Sequence, residues 1–465
     1  MKNSPFIAHG LPRRRSLLGL GALSALALAS GRRVWAQPAP AAGRTLLDGG
    51  RLVVVFLRGA YDGLSAFVPY ADRDYYAIRP NIAIPAPDGS AQTSLRLDGT
   101  FAMHPALSPL LPLWQQGVLG FVPAAGLPAP NRSHFDAQYQ MEIARTGKTS
   151  SAPGWLNTVA ELNAGGTTGD SSAVAIGVGE ANPVILGGPA PVRLIPRGQT
   201  AEKTGVLAND KTRHALLDLY GGNDSISTAF RQGADSRMQS AQELSSEKGV
   251  AEARRDMATQ PAQRMPDRGL DRDGAPANLQ MPSAQMVAAS NGAPDPVGLQ
   301  LDAQHLGTLM RNDRKLRLGF LSAGGWDSHA NQGAVTGQLA NNLGNLARGI
   351  AQLRQVFSEP GDIIVVMSEF GRTSAENGTR GTDHGFGNAL WLIGNRVAGG
   401  RWHGDWTGLA SGNLNDARDL PAHHDYRAVL AQVLRASFSL GDSQLASILP
   451  DTRWDSRLDG MLRKA

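Results

Sequence analysis

Three short apolar runs limit what this chain can fold into: residues 318–321, 363–367 and 389–393, bounded by glycine or turn formers. Each has the length of a buried strand and is too short for a helix. Between the first two, Val335, Leu339, Leu343, Leu346, Ile350, Leu353 and Phe357 recur at steps of three and four. That spacing predicts one face of a helix of about six turns. Strand, helix, strand of this kind is a crossover in a parallel sheet. In such sheets ligands bind outside the carboxyl ends of the strands. Asp327 and His329 follow the first run, Glu369 ends the second, and Asp383 and His384 precede the third. Oxygen and imidazole donors gathered at one sheet edge predict a divalent-metal site.

The amino terminus reads as an export signal. Arg14-Arg15-Ser16-Leu17-Leu18 is a twin-arginine pattern, and residues 17–30 are leucine and small residues. Val34-Trp35-Ala36 then offers an A-x-A-like cleavage site, so residues 1–36 are expected to be removed. An uncleaved anchor is the other reading, but the apolar run falls short of the ~20 residues that span a bilayer. The expected partner during export is the twin-arginine translocase, and the expected location is the bacterial periplasm or beyond. That route carries folded proteins, which suits a metal loaded before export.

Without its signal the chain also loses its basic character. Residues 1–36 hold six basic side chains and no acidic one, so the formal charge goes from +5 to −1. Nothing then favours nucleic acid as a partner. The chain has no cysteine, which excludes disulfides and thiolate metal sites. A metal here must be held by carboxylate, imidazole or hydroxyl: zinc, or calcium or magnesium, as one or two ions. No later segment is apolar for long enough to cross a membrane, so no stable membrane insertion is expected.

Residues 37–50 form a Pro/Ala/Gly linker, and 51–465 are expected to be a single α/β domain. Its first strand is the continuous apolar run 52–57, with Asp62 in the loop beyond. A D-G pair is also an ordinary turn former. A helix is expected over 105–116, then a strand over 118–122 ended by Pro123. Asn131 or Ser133 would cap the next helix. A hydroxyl there is either a cap or a nucleophile facing an anion. Helices are also expected over 155–162, 301–310 and 426–438, with one or two strands within 173–186. Residues 224–297 read as a low-complexity insertion, part of it (236–257) a solvated helix.

The pieces LRGAYDGLSAFVPY, HPALSPLLPLW, RSHFDAQYQME, GGWDSHANQG, SEFGRTSAENGTRGTDHG and DYRAVLAQVL resemble the exported bacterial family called domain of unknown function 1501. That family is similar to the alkaline phosphatase and sulfatase superfamily. The resemblance implies a doubly wound, mostly parallel sheet with helices on both faces. It implies metal ligands at Asp62, Asp327, His329, Glu369, Asp383 and His384, and a nucleophile at Ser133, which opens a helix ahead of Thr146-Gly147. Phe370 stands where a metal-binding histidine is expected. Either Glu369 and Asp383 complete the second metal position or it is empty. In another alignment Asp383-His384 is the Asp-His pair itself, and His403 or His424 the last ligand.

The function expected is metal-dependent hydrolysis of a phosphate or sulfate ester, on a small molecule or a glycan. Ser133 would attack while Arg132 and Arg372 hold the non-bridging oxygens. His134, one position round the helix, would point away from the centre. The rival is a binding or scaffold protein that kept the fold and lost turnover, as Phe370 suggests.

Overall fold

In the computed structural model, residues 49–147, 149, 152–164, 173–180, 183–246 and 284–464 are described below. The expected signal segment, most of the expected linker and the centre of the expected insertion lie outside these residues. The strands are β1 (Leu52–Leu57), β2 (Phe67–Val68), β3 (Leu95–Arg96), β4 (Ala102–Met103), β5 (Leu119–Gly126), β6 (Ala175–Val178), β7 (Val192–Ile195), β8 (Leu318–Ala323), β9 (Ile363–Ser368), β10 (Asn388–Gly394), β11 (Arg401–Trp402) and β12 (His424–Asp425). Nine of them form one sheet in the order β11-β5-β10-β9-β1-β8-β6-β7, with β12 also on β5, while β2, β4 and β3 form a small separate sheet.

Within the large sheet only β10 runs antiparallel, against both β9 and β5. β1 sits at its centre, parallel to β8 on one side and β9 on the other. Alternate side chains of β1 explain the layering. Leu52, Val54 and Phe56 join a core with the helices His134–Ile143, Trp155–Ala164 and Tyr426–Phe438. Val53, Val55 and Leu57 join another with Leu299–Asn312 and Gln338–Val356. A strand apolar at every position is thus buried on both faces, as a helix-covered parallel sheet requires.

Some elements depart from expectation. β5 runs through Pro123 to Gly126 instead of ending at Val122. The β10 pairing slips there, between Asn388 and Leu390, and Ala124 takes a left-handed φ of 51°. A bulge needs no ladder bond from the proline, which has no N–H to give. Residues 105–115 are a 3-10 turn (Pro105–Leu110) running into a short helix (Leu111–Gln115), because Pro109 and Pro112 interrupt the ladder. Only β6 falls within 173–186; the second strand, β7, comes later. In the insertion, the helix Ser225–Ser246 is not simply solvated, because Ala234, Ala241 and Leu244 are buried. Among the described residues no helix is long and apolar enough to cross a membrane.

Strand direction positions the site. β1, β5, β8 and β9 all run toward the same sheet edge, and antiparallel β10 starts from it. The exits of four strands and the entry of a fifth therefore deliver side chains to one place.

Candidate metal centre

Asp327, just past β8, is the hub. Its side chain is 2 % exposed and its Oδ1 meets three imidazoles through Nε2: His329 at 2.8 Å, His384 at 3.2 Å and His134 at 3.3 Å. The His384 Nε2 also lies 2.9 Å from that of His134 and 3.1 Å from that of His329. The donor atoms of His134, Asp327 and His384 all fall within 4.8 Å of one another.

Each imidazole is fixed from behind through Nδ1. His134 contacts Glu369 Oε1 at 2.8 Å, His329 contacts Asp383 Oδ1 at 3.0 Å, and His384 contacts the Arg132 carbonyl at 2.9 Å. All three acceptors take a proton from Nδ1, so a neutral ring would turn its Nε2 lone pair toward the centre. Facing Asp327 and one another, these nitrogens need positive charge between them, supplied by protons on Nε2 or by a metal ion in their place. Burial disfavours a charged His134, but hydrogen bonds from Asp327 and Glu369 outweigh it and push its pKa up to about 9. Burial likewise works against the Asp327 carboxylate, yet the three imidazoles and Arg372 hold its pKa far below the usual range. The residues present therefore fit a cation. Zinc–nitrogen bonds of about 2.0–2.1 Å in tetrahedral geometry put neighbouring donors about 3.3 Å apart, close to the 2.9, 3.2 and 3.3 Å spacings among His134, Asp327 and His384. Backing of ligand imidazoles by carboxylate or carbonyl is the usual outer layer of such sites.

The polar layers continue inward. Glu369 is fully buried, and its Oε1 also accepts from Gly59 N at 2.7 Å and Gln138 Nε2 at 3.0 Å. Gln138 in turn accepts from Arg58, which is held between Glu142 and Glu180 at 2.6 Å each. His134, Gln138 and Glu142 lie four residues apart on the helix His134–Ile143, so one buried face carries the whole chain of contacts.

Several expectations are corrected by this geometry. Asp62 is not at the centre. It is fully buried against Arg79 at 2.6 Å, caps the short helix Gly63–Ala66, and accepts from Ser65 at 2.8 Å and Gln332 at 2.7 Å. With its lone pairs taken, it has none left for a metal. Glu369 and Asp383 stand behind imidazoles and not at the ligand positions expected of them. Ser133 and His134 exchange places: Ser133 is exposed and its Oγ caps the helix by accepting from Asp136 N at 3.4 Å, whereas His134 is buried in the cluster.

The two arginines also differ from expectation. Arg372 is buried, and its guanidinium donates to the carbonyls of Ala60 and Gly59 at 2.5 Å each and of Thr382 at 3.1 Å, and to Asp327 Oδ1 at 2.6 Å. Bonded at every nitrogen and fully buried, it orients Asp327 and is closed off from a substrate. Arg132 reaches outward to Asp419 and Asp416. His403 contacts the Ala398 carbonyl, and His424 sits between Asp455 and the backbone of Asp405, so neither joins the centre. Phe370 stacks beside His134 and His384, with ring centroids 4.8 and 5.2 Å away. It is an apolar wall for imidazoles that other elements supply.

His329 and His384 are the partly open side of the cluster, their side chains 32 % and 26 % exposed. Beyond Asp383 lies a cleft of about 410 Å³ that includes Ile78, Glu376, Leu409, Leu414 and Arg418.

Residues 118–449 match the family described as Protein of unknown function (DUF1501). No curated protein matches the chain.

Proposed function

From its membership of the DUF1501 family, to which this chain belongs and which carries no assigned activity, we propose a function resting on the site: an exported metal-dependent hydrolase of phosphate or sulfate esters. The observation that carries the proposal is the convergence of three imidazole Nε2 atoms on Asp327 Oδ1, each ring backed through Nδ1. His134, Asp327 and His384 would hold one divalent ion, with His329 against the Asp327 oxygen beside them. Imidazoles with one carboxylate suit zinc or a neighbouring transition metal and do not suit calcium or magnesium, which take oxygen donors. Such an ion supplies Lewis acidity and acidifies water, the two needs of ester hydrolysis at neutral pH.

The chain's own residues do the rest. Glu369 and Asp383 keep His134 and His329 in the tautomer that offers Nε2. Arg372 keeps the Asp327 carboxylate ionised and aimed. Phe370 excludes water from the inner side of the imidazoles, while the exposed flank of His329 and His384 admits substrate. Ser133 has the part of a helix cap, so no covalent serine intermediate is required. The sheet with helices on both faces agrees with the alkaline phosphatase-like architecture that the sequence suggests. The scaffold alternative leaned on Phe370, and the histidines that other elements bring to the centre weigh against it.

Elemental analysis of the mature protein made in an exporting host tests the reading, together with turnover of p-nitrophenyl phosphate and sulfate. One transition-metal ion per chain and a turnover that His134→Ala abolishes are expected. A chain that holds no metal refutes the proposal. The export part predicts that Arg14→Lys with Arg15→Lys leaves precursor in the cytoplasm, and unchanged periplasmic accumulation would count against it.

A further inference from the structure

We infer that Arg132 and Arg418, pinned to the single buried carboxylate of Asp419, form an oxyanion subsite beside the metal centre, with the organic part of the ester in the adjoining cleft. The inference rests on the hydrolase reading and adds to it the substrate's charge and orientation.

Asp419 is fully buried yet shared by two guanidiniums. Arg132 Nη2 bonds its Oδ2, and Arg418 Nη1 contacts Oδ1 at 3.1 Å and Oδ2 at 3.3 Å. The side chains of the two arginines remain 38 % and 39 % exposed. One carboxylate cannot neutralise two guanidiniums, and Asp416, itself 70 % exposed, reaches only Arg132, at 3.4 Å. Each guanidinium has five N–H donors in a planar fork. Asp419 engages one nitrogen of each, so donors remain for a ligand.

Backbone contacts tie both residues to the segments that carry the centre. The carbonyl of Arg132 is the acceptor that backs His384, 2.9 Å from Nδ1. The carbonyl of Arg418 accepts from Ser374 N at 3.0 Å, and Thr373 and Asp419 form an antiparallel bridge. Arg418 also lines the cleft together with Asp383, the residue before His384. These two arginines take the part that the sequence suggested for Arg132 and Arg372, since Arg372 is fully occupied. A tetrahedral oxyanion, with several acceptors around one atom, matches two such forks.

The cleft sets the other half of the ligand. Its volume of about 410 Å³ is at the lower end for small-molecule sites, room for one sugar or aryl group. Ile78, Leu409 and Leu414 give it an apolar surface, and Asp74, Glu376 and Asp383 add carboxylates. A second anionic group there would meet like charge. The substrate class is therefore an ester whose alcohol portion is neutral or cationic, and not a polyphosphate or a second phosphate or sulfate carried on the alcohol.

The test is isothermal titration of the zinc-loaded mature chain with inorganic phosphate and, separately, sulfate, with metal content measured on the same samples. Arg132→Ala and Arg418→Ala are each expected to weaken binding of the preferred anion about 10- to 100-fold, the loss of a charge-assisted hydrogen bond. Metal content should not change, and Arg418→Lys should restore part of the affinity. The stronger of the two anions separates a phosphate from a sulfate substrate. Either alanine variant binding like the parent overturns the subsite, as does a metal-loaded chain that binds neither anion; both leave the metal centre standing. A chain that takes up no metal sinks the hydrolase reading, and the same arginine comparison on that chain still decides the subsite. Turnover of pyrophosphate equal to that of the p-nitrophenyl monoester overturns the assignment of the cleft.

Discussion

Replacing Asp62 by asparagine separates two accounts of the same residue. As a metal ligand, it would lower metal occupancy when changed. As the partner of Arg79, it would lower stability alone. Arg79 is fully buried and donates to both Asp62 oxygens, at 2.6 and 3.1 Å, as well as to the carbonyls of Ser374 and Thr373. Burial disfavours the Asp62 carboxylate, but Arg79 beside it reverses the balance and lowers its pKa. The substitution keeps the shape and the helix cap yet leaves a guanidinium charge in the interior without its counter-ion. Breaking a buried pair from one side costs about 3–5 kcal/mol. At roughly 2 °C per kcal/mol for a chain this long, Tm should fall by about 6–10 °C. Scanning calorimetry reads the stability and elemental analysis the metal, on one preparation. Asp62→Asn with Arg79→Met should recover part of the loss, because no lone charge is then left. Metal loss without a fall in Tm would refute this reasoning and return Asp62 to the ligand set.

Other outcomes follow from the same contacts. Asp327→Ala should abolish metal uptake, and zinc at a hundred times its Kd should stabilise the parent by about 2.7 kcal/mol but leave the variant's Tm unmoved. Burial holds the pKa of the His104 imidazole down at about 4, below an unfolded value near 6.5. The unfolded chain therefore takes up the proton first, and stability present above pH 6.5 is lost as pH falls toward 4, by about 3 kcal/mol in all. Urea unfolding from pH 7.5 to 4.5 should show that slope in the parent and not in His104→Gln. Ser133→Ala should cost about 1 kcal/mol as a lost cap and leave ester turnover in place; abolished turnover in a folded, metal-loaded protein would restore Ser133 as nucleophile.

The sequence was most legible where burial is two-sided. β1, β8, β9 and β10 are apolar at nearly every position, and their ends announced Asp327, His329 and His384. β7, with Arg193 inside its run, carries a weaker signal, and the helix Ser225–Ser246 buries mainly alanines, which make no stripe. Asp62 misled because a D-G pair at a strand end looks the same whether it faces a metal or a buried arginine. Its partner Arg79 lies 17 positions on, and no periodicity links the two. His134 was missed for a different reason. The hydroxyl at the helix start is the conspicuous feature, whereas the informative pattern is His134, Gln138 and Glu142 at four-residue spacing, a polar stripe on the face that also buries Ala137 and Met141. A polar line along an otherwise buried helix face is an unusual arrangement, and here it leads straight to the centre.

The three imidazoles are backed by three different acceptors: a fully buried carboxylate for His134, a half-exposed carboxylate for His329 and a neutral peptide carbonyl for His384. An anion behind a ring donates more electron density than a carbonyl does, and it does so most strongly where water is absent. Toward a bound metal the imidazoles would therefore be graded, with His134 the anchor and His384, on the open side next to Arg132, the most labile. An incoming oxygen atom would displace the weakest bond first, so a ligand exchange at this centre would begin at its outer rim.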